Sequence, residues 1–316
     1  MKTALVALGG NSLIRPEDHG TAEEQFSRME ETCNILSDMI VDGYDIVFTH
    51  GNGPQVGNIL LQNEISAHSI PAMPLDICGA QSQGQIGYMF QQTLKNELIN
   101  KDIHRSIASV VTQVIVDRDD SAFDNPSKFV GPYYTEDEAN RIREEKGWTI
   151  KKTSDGKYRR VVPSPEPKKI VESEIISDLV FSGEEGYIVI AAGGGGVPVI
   201  EENGKLTGVE GVIDKDLASA VLAESIDERF FIMLTRVDKV YINFGEEDEE
   251  ELNKITLEEA ERYLEEGHFP PGSMGPKIKA SIHFLKHGGE KVLITSPEKL
   301  SKALNEEAGT YIVNEG

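Results

Sequence analysis

The sequence predicts an α/β protein in which a mainly parallel sheet is covered by helices on both faces. Three observations carry that expectation. Apolar runs of strand length alternate with helical-period segments, glycine-rich turns follow three of the strands, and 316 residues with 39% hydrophobic side chains supply a large core.

The chain opens with an apolar run at Lys2–Leu8, and Thr21–Val41 follows with Phe26, Met29, Cys33, Leu36 and Ile40 at helical spacing. Asp45–Thr49 reads as a second strand, then a glycine-rich turn and a helix through about Ser66. A further helix is predicted over Ala80–Leu98, and a β-branched strand over Ile107–Val114. From Asp117 to Pro167 the long apolar periodicity gives way to turn pairs such as Gly131-Pro132 and Asp155-Gly156, which predicts an inserted, protruding subdomain. It is locally basic, with Lys128, Arg141, Arg143, Lys146, Lys151, Lys152, Lys157, Arg159 and Arg160, charges that a solvated surface would equally explain.

The alternation then resumes: a helix near Ile170–Phe181, a strand at Tyr187–Ala191, a hairpin around Asn203-Gly204, a helix from Asp216 and a strand at Arg229–Leu234. Glu246–Glu251 is an acidic run expected as a solvated loop. Helices at Leu257–Glu266, Lys277–Lys286 and Pro297–Asn305 flank strands at Lys291–Ile294 and Thr310–Val313. The expected division is an N-terminal lobe over 1–185, with the insertion at about 117–167, and a C-terminal lobe over 186–316.

Composition narrows the function. A net charge of −23 disfavours nucleic acid and anionic membranes as partners, because both are polyanions. The longest apolar runs, Ala4–Leu8 and Tyr187–Ala192, fall far short of the ~20 residues a membrane helix needs, and no signal-length segment opens the chain, so a cytoplasmic protein is expected. Cys33 and Cys78 are too few for a disulfide framework and lack metal or redox spacing.

The three turns are Gly9-Gly10-Asn11, Gly51-Asn52-Gly53-Pro54 and Gly193–Gly196. At the carboxyl ends of parallel strands, glycine lets backbone N–H groups approach an oxyanion, and a helix N-terminus behind each turn would add partial positive charge. No turn fits the dinucleotide fingerprint, and the chain has no P-loop, so Rossmann dehydrogenase and Walker ATPase readings are disfavoured. Lys128, Lys215 and Lys277 stand beside glycine, proline or aspartate at element boundaries, and point cations held by carboxylates suit phosphoryl transfer. For any one of them alone, a solvated surface lysine is the plainer reading. His283 and His287 have metal-ligand spacing but no H-E-x-x-H glutamate, and are expected to face solvent; His50 is open between ligand contact and strand-end structure.

Taken together, Ala7–Asn11, His50–Gly57, Asp76–Gly84, Arg160–Pro165, Gly193–Pro198, Val212–Asp216, Leu234–Tyr241 and Gly272–Lys277 resemble the carbamate kinases, in order and spacing and over nearly the whole chain. The resemblance implies the amino acid kinase fold, a three-layer αβα sandwich with a small protruding subdomain, and a homodimer interconverting ATP plus carbamate with ADP plus carbamoyl phosphate. It also implies site roles. Gly9, Gly10, Asn11, Gly51, Asn52 and Gly53 would hold the carbamate or carbamoyl phosphate, with Lys128 reaching in from the subdomain. Lys215 and Lys277 would contact the transferring phosphoryl group, oriented by Asp216. Gly195, Asp214, Val237, Tyr241 and Met274 would serve the nucleotide, and Mg²⁺ would be held mainly by nucleotide phosphates and water.

One departure marks the chain off from acetylglutamate and uridylate kinases of the same fold, which carry a lysine just before the first Leu-Gly-Gly. Here that position is Ala7, and Lys128 and Lys215 would supply the displaced charge. Arg236 lies within the nucleotide motif with no role assigned.

Overall fold

The computed structural model describes residues 2–9, 14, 18–153, 155–182, 186–270 and 272–315. The first half runs β1 (Lys2–Leu8), α1 (Ala22–Val41), β2 (Tyr44–His50), α2 (Gly53–Ser66), α3 (Leu75–Asn100), β3 (Ile107–Ser109), β4 (Gln113–Val116), β5 (Lys128–Tyr134), α4 (Glu136–Lys146), β6 (Ile150–Lys152), β7 (Tyr158–Val162), β8 (Pro167–Ile170) and α5 (Ser173–Val180). The second half runs β9 (Ile188–Ile190), β10 (Val197–Glu202), β11 (Lys205–Gly208), α6 (Lys215–Ser225), β12 (Phe230–Leu234), β13 (Val240–Ile242), β14 (Glu250–Leu252), β15 (Lys254–Thr256), α7 (Leu257–Glu265), α8 (Met274–Lys286), β16 (Lys291–Thr295), α9 (Leu300–Leu304) and β17 (Thr310–Val313).

Eight strands form the central sheet in the order β15-β17-β16-β12-β1-β2-β9-β3. Every neighbouring pair is parallel except β16 with β17. Because successive side chains of a strand point to opposite faces, β1 feeds two cores: Leu5 and Ala7 join one with α6 and α8, while Ala4, Val6 and Leu8 join the other with α1 and α3. Burial on both faces is why β1 reads as an unbroken apolar run. Helix starts follow local chemistry: Thr21, Thr135 and Thr256 each form a capping box with a glutamate three residues on. Among the described residues no helix is long and apolar enough to cross a membrane.

Three expectations are corrected and further strands are added. The strand expected over Ile107–Val114 is two strands in two sheets, because Gln83 captures both backbone groups of Thr112 and bends the chain off the main sheet. The acidic run is not all loop, since Glu250 and Glu251 pair with β13 in an antiparallel ribbon. Among the described residues a helix N-terminus lies directly behind only the Gly51–Gly53 turn: the first described helix after Gly9 is α1, and Gly193–Gly196 leads into β10. Finally, β8 and β15 are short strands with no clear apolar alternation in the sequence.

The hairpin at Asn203-Gly204 forms as expected, with both residues at positive φ, between β10 and β11. Within the inserted stretch, β5, β6 and β7 form a separate antiparallel sheet backed by α4. Ala139, Ile142 and Ile150, with Trp148 against them, give it a small core of its own. β9, which lies beyond residue 185, sits between β2 and β3, so the central sheet is continuous across the expected lobe division.

Candidate active site

Parallel sheets bind ligands beyond the carboxyl ends of their strands, and here a cleft of about 990 Å³ opens there, past β1, β2 and β12. Its charged heart is set by the start of α6. Asp214 is the N-cap: its Oδ1 accepts from the Asp216 amide at 2.9 Å, which satisfies an otherwise orphaned helix donor and fixes Lys215 and Asp216 in the first turn. Lys128, arriving on β5 of the inserted subdomain, donates to Asp214 Oδ2 at 2.9 Å. Lys277, in the first turn of α8, donates to Asp216 Oδ2 at 2.7 Å, and Lys215 occupies Asp216 Oδ1.

Asp216 is 4% exposed and bridges two ammonium groups. Burial by itself would raise its carboxyl, but the charges of Lys215 and Lys277 and their hydrogen bonds hold it well below the usual carboxylate range. Burial pushes the Lys215 ammonium below its ordinary value and the Lys277 charge adds to that, against the pull of Asp216. Three lysines and two carboxylates, fixed by one another before any ligand arrives, make a preorganised cationic surface.

The glycine turns divide into two kinds. Gly9 and Gly51 line the cleft, yet the Gly9 amide is bonded to Leu234 O at 3.1 Å and the Gly51 amide to Leu8 O at 3.2 Å. What these two glycines leave for a ligand is space, not a donor. Gly53, the first residue of α2, and Asn52 also line the cleft. Asn52 gives a side-chain N–H to Ser82 at 2.8 Å.

The tetraglycine turn is glycine for packing. A Cβ on Gly193 would lie 2.5 Å from His50 Nε2, one on Gly194 would lie 2.1 Å from Asn52 Nδ2, and one on Gly195 would lie 2.4 Å from Ile213 O. Gly194, Gly195 and Gly196 also have positive φ. His50 is fully buried against this turn and does not line the cleft, so the strand-end reading of it is the one the structure takes.

Val237 and Met274 line the cleft with the lysine cluster, whereas Gly195 and Tyr241 do not; Tyr241 packs on Phe244 with ring centroids 5.8 Å apart. Gly10 and Asn11 lie outside the described residues. The cleft also includes Arg28, Glu298 and Arg236, none of them marked as site residues by sequence reasoning. Arg28 is held by Asp18 at 2.9 Å and Glu31 at 3.0 Å from α1 and the segment before it. Its only sequence signal is a cation on the cleft side of an amphipathic helix, which is too common to single it out.

A cleft of this size at the carboxyl edge of the sheet, floored by paired lysines, defines an enzyme that transfers phosphate, and the chain belongs to the amino acid kinase family, whose model matches residues 2–296. Within that family the likeness is to carbamate kinases. The chain is 50% identical to the carbamate kinase of Thermococcus kodakarensis, with 100% of both sequences covered, and 45% identical to that of Clostridium perfringens, with 98% of this chain and 99% of that one covered. The structure of carbamate kinase from Giardia lamblia bound to AMP-PNP matches it with a TM-score of 0.93 at 40% identity, covering 99% of this chain and 98% of the other. N-acetylglutamate synthase from Neisseria gonorrhoeae, at 15% identity and a TM-score of 0.58, shares the fold alone.

Proposed function

We propose that this chain catalyses reversible phosphoryl transfer between ATP and carbamate, giving ADP and carbamoyl phosphate. The observation that carries the reading is Asp216 bridging Lys215 and Lys277 on the cleft floor, in a chain half identical to a carbamate kinase over its full length. In this reading Lys215 and Lys277 neutralise the charge that spreads over the equatorial oxygens of the phosphoryl group in flight, and Asp216 keeps the two ammoniums at fixed separation. Lys128, anchored on Asp214, brings a third cation to the carbamate side. Val237 and Met274 contribute apolar surface for the nucleotide.

No general base is needed, because carbamate is already an anion and phosphoryl transfer to it requires positioning and charge neutralisation. Two features support that: no histidine lines the cleft among the described residues, and Asp216 is too strongly held in its ionised form to accept a proton near neutral pH. Magnesium, arriving with the nucleotide, would add charge neutralisation at the phosphates. Asp214 and Asp216 already spend their oxygens on lysines and a backbone amide, which favours a metal ligated mainly by phosphate and water. The reading includes a cytoplasmic homodimer serving arginine metabolism, as the family resemblance implies.

The test is ATP formation from ADP and carbamoyl phosphate with Mg²⁺, followed by luminescence, with Lys215→Ala as control. Rapid turnover in the wild type, reduced at least tenfold in kcat in the variant, or about 1.4 kcal/mol, is the expected result. A folded, nucleotide-binding wild type that makes no ATP would transfer the assignment to another acid substrate or to a sensor.

A further inference from the structure

The lysine cluster joins the N-termini of α6 and α8, and at the other ends of the same two helices Glu224, His283 and His287 come together. The histidines, one in the last turn of α8 and one capping it, stand four apart with rings stacked, centroids 4.2 Å apart and planes inclined by 23°. His283 Nε2 lies 2.9 Å from Glu224 Oε2 on α6, and one ligand atom from each of the three residues falls within 4.8 Å of the other two. The geometry points to a surface site for a divalent transition-metal ion of the zinc type, held by two imidazoles and one carboxylate and tying the C-terminal turns of α6 and α8 together.

Three further features fit that ion. His287 Nδ1 donates to the His283 carbonyl at 2.7 Å, which leaves Nε2 of His287 with the lone pair, in the way a metal-binding imidazole is oriented by its other nitrogen. Ligand atoms around a tetrahedral zinc with bonds of ~2.0–2.1 Å sit roughly 3.3 Å apart, close to the grouping within 4.8 Å that these three residues already have. Glu224 and His283 belong to the last turns of their helices, where free carbonyls concentrate partial negative charge, in a protein whose net charge is −23. Two imidazoles favour zinc, cobalt, nickel or copper over magnesium or calcium, and three protein ligands leave a position for water. Glu224 lies eight residues beyond Asp216, about 12 Å along the helix, so the ion would brace the helix pair without entering the cleft.

The test uses the full chain, freed of metal with a chelator, titrated with Co²⁺ and followed by its visible d–d absorption, then challenged with Zn²⁺. The expected result is one Co²⁺ per chain with bands of His and carboxylate coordination, displaced by Zn²⁺, and a Zn²⁺-dependent rise in Tm. Affinity should fall at least tenfold in His287→Ala and in Glu224→Gln, and the rise in Tm should vanish, while the metal-free Tm of both variants stays that of the wild type. Co²⁺ binding unchanged in a His283→Ala/His287→Ala double variant would overturn the assignment, as would no binding by the wild type at millimolar metal.

Discussion

The two ends of the eight-stranded sheet handle charge in opposite ways. At the amino ends of the strands the charged groups bond to the protein's own strands and face no cleft. Half-buried Arg105 pairs with buried Asp45 at 2.6 Å and also donates to Gly186 O. Glu228 Oε1 accepts from Thr3 Oγ1 and from the amides of Arg229 and Phe230. At the carboxyl ends Lys128, Lys215 and Lys277 share two carboxylates, and Arg236 is exposed with no ion pair among the described residues. One end thus fastens neighbouring strands, whereas the other holds cations in excess of its fixed anions and directs them at a cleft. Removing a cation that fastens strands and removing one that faces a cleft have different consequences, so the two ends should respond differently to mutation.

The largest expected effect lies at the closed end. Arg105→Ala strands a buried carboxylate and should cost about 3–5 kcal/mol in denaturant unfolding, with kcat per folded molecule unchanged. A loss under ~1 kcal/mol would erase the contrast. Next comes His50, buried at the carboxyl end of β2 but outside the cleft. Burial pushes its imidazole down to about 4, helped by the Lys215 charge and resisted by the bond from Nδ1 to Gly51 O. The unfolded chain therefore binds the extra proton between pH 6.5 and 4, and stability falls as pH drops through that window, by on the order of 3 kcal/mol. Unfolding curves of wild type and His50→Gln across those pH values should diverge by that amount. If they run parallel, His50 is not the group responsible.

The open end should show the reverse pattern. Lys277→Ala is expected to lower kcat at least tenfold, near 1.4 kcal/mol, in a variant that still folds. Unaltered kcat would take Lys277 out of the reaction. Smallest of all is Lys128→Ala: its side chain is 40% exposed, so unfolding should change by less than ~1 kcal/mol. Its kcat/KM for carbamoyl phosphate should drop roughly fivefold, by about 1 kcal/mol. A change in Tm without one in kcat/KM would move Lys128 from the reaction to the scaffold.

The central sheet was legible because its signal is local. β1, β2 and β12 are apolar runs that any neighbour would bury, and the capping boxes at Thr21 and Thr256 mark their helices without reference to the rest of the chain. Lys215 and Lys277 stood out through the Asp-Lys-Asp and Gly-Pro-Lys neighbourhoods that start their helices. What stayed hidden depends on partners far along the chain. The break at Thr112 is made by Gln83, and the glycines at 193–195 are required by His50, Asn52 and Ile213. The histidine pair on α8 gains its carboxylate from Glu224, 59 positions away. Periodicity and spacing cannot report such pairings, since each depends on how the layers stack.

The insertion has a consequence for how such a fold changes over time. Lys128 lies opposite Val162 where β5 and β7 begin and end, so the chain leaves the parent domain and returns to it at adjacent points. Residues paired across antiparallel strands are about 5 Å apart, a gap that a two-residue turn closes. The 33 residues between them carry their own small core and add little closure entropy to the host. In genetic terms the excursion between them can be shortened or exchanged in a single event, and because Lys128 stands at its root on β5, an event that spares the site must spare that residue.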